Sequence, residues 1–126
     1  MAKIGRFEEI EGWKLSRELV RMVYNLTQGT PFAQDYGLKD QIQRAAVSTM
    51  SNIAEGFERN STKEFIQSLY VARGSVAEVR SLLYVASDLG YIAPEDFAEV
   101  FNQAEETSKT IFGFIKYLSA KDFKTF

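Results

Sequence analysis

Apolar residues return along this chain at steps of four and three, in four successive stretches. That rhythm marks amphipathic helices, and no run of strict alternation competes with it as a strand. The first helix is expected over about 9–28. Leu15, Leu19, Met22 and Leu26 form its stripe, widened by Trp13, Val20, Val23 and Tyr24. Gln28-Gly29-Thr30-Pro31 should end it, because glycine can take the left-handed stop and proline cannot continue a helix. A second helix is predicted over 36–58, with Leu38, Ile42, Ala45, Thr49, Ile53 and Phe57 on its apolar face. The third, over 61–90, starts most sharply. Ser61-Thr62-Lys63-Glu64 reads as a capping box, the serine oxygen taking the Glu64 amide while the glutamate reaches back. Phe65, Leu69, Ala72, Val76, Val79, Leu83 and Ala86 then hold the period of left-handed helix packing. Pro94 suits the first position of a fourth helix, 94–119, whose seam is Phe97, Phe101, Ala104, Ser108, Ile111, Ile115 and Leu118. Beyond it, Phe123 and Phe126 should either fold back or fray. Short connections after the second and third helices make neighbours antiparallel. The expected fold is all-α: one domain over 1–126, an antiparallel up-down-up-down four-helix bundle.

A chain of 126 residues with 45% apolar content can bury such a core, and these values exclude a disordered or low-complexity chain. The chain has no cysteine and no histidine, which removes thiolate nucleophiles, imidazole bases, disulfides and His/Cys metal cages. Catalysis would have to rest on carboxylates, Lys, Tyr or Ser, with Glu55, Glu64 and Glu78 as the available acids. A di-iron bundle would need Glu-x-x-His twice, and no glycine-rich phosphate loop is present. The expectation is a protein that is not an enzyme, with no cofactor and no metal. The N-terminal ten residues have no apolar run, and no stretch reaches the roughly eighteen apolar residues of a membrane span. A cytoplasmic protein with no membrane partner is expected.

Some side chains exceed what a lone bundle needs. Beside its seam the third helix carries a second apolar line, Val71, Leu82, Val85 and Leu89. A third face reads Ile66, Tyr70, Arg73, Ala77, Arg80 and Tyr84, and the fourth helix shows Phe112 and Phe114 off its seam. These aromatics either overhang the core or meet a second copy. Tyr70, Tyr84, Phe112 and Phe114 are therefore candidate subunit-interface residues, and self-association is the favoured expectation.

Nucleic acid is the alternative partner. Lys14, Arg17 and Arg21 share one face of the first helix, and Arg73 and Arg80 share a face of the third beside the two tyrosines. Arginine with tyrosine can hold phosphate and stack bases. Against this, the net charge is −2, Glu18 and Glu78 sit beside the clusters, and residues 1–80 hold eleven bases against ten acids. Solvated charge explains the same residues, although repetition in an oligomer would concentrate a weak patch.

The second helix has a polar line: Gln41, Arg44, Ser48, Asn52, Glu55 and Arg59, with Ser51 and Gly56 near it. Arg44 and Glu55 stand three turns apart, so each needs a partner elsewhere. Glu78 and Arg73 on the third helix, water or a second subunit are the candidates. This combination suggests a specified network. Gln41-Ile42-Gln43-Arg44-Ala45-Ala46-Val47-Ser48, Asn52-Ile53-Ala54-Glu55-Gly56-Phe57 and Arg59-Asn60-Ser61 resemble the signature of the bacterial four-helix-bundle proteins, the 23S rRNA intervening-sequence protein family. Glu64-Phe65, Ala72-Arg73-Gly74-Ser75, Glu78 and Leu89-Gly90-Tyr91 match its continuation. Trp13, Leu19-Val20, Tyr24 and Tyr36-Gly37-Leu38 match its opening, so the resemblance covers nearly the whole chain. Thr49-Met50 stands where Ile/Val-Pro is expected, which predicts a straighter second helix. The resemblance implies a bundle that often forms a ring-shaped homopentamer, and many members are encoded within ribosomal RNA genes. More distantly it is similar to accessory proteins of diversity-generating retroelements, which partner a reverse transcriptase and nucleic acid. Arg44, Ser48, Asn52, Glu55, Gly56, Arg59, Ser75 and Glu78 are the positions that match the signature. Together these features point to a non-enzymatic homo-oligomeric scaffold, with an RNA- or DNA-binding accessory protein as the alternative.

Overall fold

The computed structural model describes residues 4–124, with side chains described through Lys121. Four helices follow one another: α1 Glu11–Leu26, α2 Tyr36–Glu58, α3 Thr62–Asp88 and α4 Pro94–Lys124. Short 3-10 turns at Phe7–Glu9 and Phe32–Gln34 precede α1 and α2. Each helix packs on the next and α1 packs on α4, which closes the bundle. The all-α four-helix bundle expected from the periodicity is the observed fold.

The helix ends show which local signals acted. Ser61 caps α3, its Oγ accepting from the Glu64 amide at 3.2 Å. The reverse half of the capping box does not form. The Glu64 carboxylate instead takes Arg59 Nη1 at 3.2 Å. Asp35 caps α2 by accepting from the Leu38 amide at 3.1 Å. Gly90 closes α3 at φ 75, with Gly90 N donating to Ser87 O and Tyr91 N to Ala86 O, the paired bonds of a Schellman stop. Gly29 does not use the left-handed conformation, since Gly90 alone among the described residues has positive φ. α1 ends at Leu26, and the cap residue Thr27 is buried. Its hydroxyl donates to Tyr24 O and accepts from Gln43 Nε2 of α2. α4 runs five residues beyond the expected 119, as far as Lys124. The side chains of Phe123 and Phe126 lie outside those described.

The α3 seam is buried throughout, from Phe65 at 8% exposure to Ala86 at 0%. On α1 the buried line is Gly12, Ser16, Leu19 and Val23, whereas Leu15, Met22 and Leu26 are only partly buried. Small residues set that rotation. A Cβ on Gly12 would stand 3.2 Å from Ile111 of α4, so the helices approach closely where the sequence shows no greasy side chain. On α4 the centre is Val100, Ala104, Thr107, Ile111 and Ile115, and Phe97 and Phe101 are displaced to the α3 side. α2 is continuous through Thr49-Met50, with the buried Thr49 hydroxyl returned to Ala45 O at 3.1 Å. Phe32 in the first connection is fully buried and its ring lies 5.4 Å from Tyr91. Tyr91 Oη also donates to Asp35 Oδ2 at 2.9 Å, which ties the first and third connections together.

Candidate functional site

The signature line on α2 divides into a partly buried centre and an open margin. At the centre Ser48 Oγ lies 3.0 Å from Ser75 Oγ on α3, and Asn52 Nδ2 donates to Ser48 O at 2.9 Å and to Ser48 Oγ at 3.0 Å. Below them Gly56 packs tightly against α3. A Cβ there would lie 2.4 Å from Ser68 Cβ. The other signature positions, Arg44, Glu55, Arg59 and Glu78, stand toward water. Glu78 Oε2 accepts from Gln41 Nε2 at 3.2 Å. Arg44 pairs with Asp40, one turn back on its own helix, at 2.9 Å. Arg59 pairs with Glu64, and Glu55 is exposed with no hydrogen bond or ion pair among the described residues. Neither Glu78 nor Arg73 therefore answers Arg44 or Glu55. The network joins Ser48, Asn52 and Ser75 and works as an interhelix clasp.

Arg73 faces α4. Its Nε donates to Ser108 Oγ at 3.3 Å, and its guanidinium carbon lies 4.1 Å from the Phe112 ring centroid. Two turns further along α3, Arg80 lies over Phe101 at 5.5 Å, and Lys116 Nζ approaches Phe112 at 5.4 Å. None of these three cations has a carboxylate within 4.0 Å among the described residues. Arg80 Nε is buried without an acceptor among the described residues. Between the arginines lies a groove of about 300 Å³, walled also by Tyr70, Gly74, Ala77 and Ser108. The sequence marks the arginines but not Ser108, Phe101 or Lys116 as their neighbours, because these meet them only once α4 is laid against α3.

The basic cluster on α1 is differently disposed. Arg21 is held by Glu18 in an ion pair that keeps the Glu18 carboxyl below the usual carboxylate range. Arg17 lies 5.8 Å over Trp13, and Lys14 is exposed. Among the aromatics, Tyr70 and Tyr84 are about half exposed. Tyr84 rests on Phe97 and Phe101 of its own chain. Phe112 is half-buried beneath Arg73, and Phe114 lies between Phe65 and Tyr117. A larger cavity of about 710 Å³ opens at the α2–α3 turn beside Phe57, Phe65, Phe114 and Tyr117. No cluster of acidic side chains suited to a metal occurs among the described residues, and no described helix is long and apolar enough to cross a membrane.

Fold and seam together define an all-α bundle whose second and third helices are clasped through small polar residues. The chain belongs to the 23S rRNA-intervening sequence protein family, whose model matches residues 8–113. A solved structure from Bacteroides thetaiotaomicron, a protein of unknown function from the S23 ribosomal protein family, is similar at TM-score 0.77 and 23% identity. The match covers 83% of this chain and 98% of that one, and it shows the shared fold. No curated protein matches the chain.

Proposed function

We propose that this protein is a non-enzymatic scaffold that acts as a homo-oligomer and offers its assembled surface to partners. The observation that carries the reading is the apolar line along the α2-side edge of α3. Val71, Val85 and Leu89 are 54%, 41% and 53% exposed, with Leu82 beneath them. Apolar surface left in water on a small bundle is stabilised when a second copy covers it. The five-membered ring implied by the sequence resemblance is the assembly this reading expects.

Sedimentation of the purified chain tests it. The wild type should sediment as an oligomer, and Val71→Lys combined with Val85→Lys should release a monomer with unchanged helical circular dichroism. A wild type that is monomeric at every concentration would refute the proposal.

A further inference from the structure

We infer that the groove between α3 and α4 at Arg73 and Arg80 binds the phosphodiester backbone of a single-stranded nucleic acid. The inference goes beyond the scaffold reading and does not depend on it. Four of the chain's seven arginines, Arg6, Arg21, Arg44 and Arg59, are paired with carboxylates. Arg17, Arg73 and Arg80 have no carboxylate within 4.0 Å among the described residues, and of these three Arg73 and Arg80 line one groove. Each lies over a phenylalanine ring of α4, at 4.1 and 5.5 Å. A guanidinium over an aromatic ring keeps its charge and its planar fork of donors, which suits contact with a phosphate. Arg73 spends one donor on Ser108, while Arg80 Nε is buried with no acceptor among the described residues. Both arginines line the groove, and a charge-assisted contact between a guanidinium and an anionic oxygen is of the strong kind.

Spacing favours a chain of anions over a single one. Seven residues of helix separate the two arginines by about 10 Å along the axis, too far for one phosphate to bridge. Gly74 and Ala77 floor the groove between them, and nothing lies within 4 Å of where a Gly74 Cβ would be. Tyr70 and Tyr84 stand beyond the arginines at 51% and 53% exposure, and Tyr84 is held upright by Phe97 and Phe101. Half-exposed rings flanking a cationic track give bases a surface to stack on. Lys116, with no carboxylate within 4.0 Å among the described residues, adds a third cation on the α4 side. The opposing charge is Glu105, on the same edge of α4 as Phe101 and Phe112, and it makes no ion pair with these cations.

Fluorescence anisotropy of the full chain with a labelled oligouridylate of about twenty nucleotides tests the site, with oligomer mass measured on the same samples. Wild type should bind with a marked salt dependence. Arg73→Gln with Arg80→Gln should weaken binding at least about tenfold and lower the log–log salt slope by about 1.4, near 0.7 for each phosphate no longer neutralised. Glu105→Gln should tighten binding, and Lys14→Gln with Arg17→Gln should leave it unchanged. Absence of salt-dependent binding would overturn the inference. So would equal binding by the Arg73/Arg80 variant at unchanged mass and helicity, or displacement by polyglutamate as effective as displacement by unlabelled RNA.

Discussion

Gly56→Ala is the sharpest test of how α2 and α3 are held together. The added methyl would stand 2.4 Å from Ser68 Cβ, 2.8 Å from Ser68 Oγ and 3.1 Å from Phe65 Cδ1. Carbon atoms not bonded to one another settle at roughly 3.5–4.0 Å, so the helices must part by about 1 Å. The nearest atom is a Cβ fixed to the α3 backbone, which no rotamer change removes. Overpacking of this kind costs about 3 kcal/mol at the upper end of its usual range. The gain in helix propensity from replacing a glycine returns about 1 kcal/mol. A net loss of about 2 kcal/mol is expected. With unfolding entropy of about 2.1 cal/mol/K per residue, 126 residues convert that loss to a fall in Tm of about 8 °C. Urea unfolding at fixed protein concentration should show the midpoint fall with the slope unchanged. Two companions isolate the cause. Gly113→Ala, where nothing lies within 4 Å of the new Cβ, should stabilise by about 1 kcal/mol through propensity alone. Ser68→Gly should destabilise the wild type yet rescue the Gly56→Ala protein, because it removes the atoms being struck. A neutral or stabilising Gly56→Ala would refute the close-approach argument.

Asn52→Ala should cost about 1 kcal/mol in chemical denaturation, and combining it with Ser48→Ala should cost less than the two losses added, since both share one clasp. Tyr91→Phe tests the link between the two connections. The hydrogen bond to Asp35 raises the Tyr91 pKa above its ordinary value near 10. A raised folded-state pKa gives stability that is full below the ordinary value and lost as pH rises through the raised one. Melting temperature should therefore fall less steeply above pH 10 in Tyr91→Phe than in the wild type, and identical alkaline slopes would show that this bond does not contribute.

Much of the architecture is legible in the one-dimensional pattern, because a helix period and its stop signals are local properties. Phe65 through Ala86 repeat at the period of a packed seam, and all seven are buried. Ser61, Pro94 and Gly90 mark helix ends that depend on neighbouring backbone groups only. Missing from that pattern is everything set by what lies across an interface. The buried line of α1 runs through Gly12 and Ser16, and a hydrophobicity pattern passes over both because their value lies in letting α4 come near. Arg44 and Glu55 look like two halves of one network, yet Arg44 closes on Asp40 and the clasp forms between Ser48, Asn52 and Ser75. Arg73 and Arg80 are visible as charges on a common face, but their unpaired state follows from phenylalanines rather than carboxylates meeting them on α4. Residue order dictates which side chains share a helix face. Which of them are matched, sealed or left open depends on the rotation and spacing of the neighbouring helix, and contacts between residues dozens of positions apart settle both.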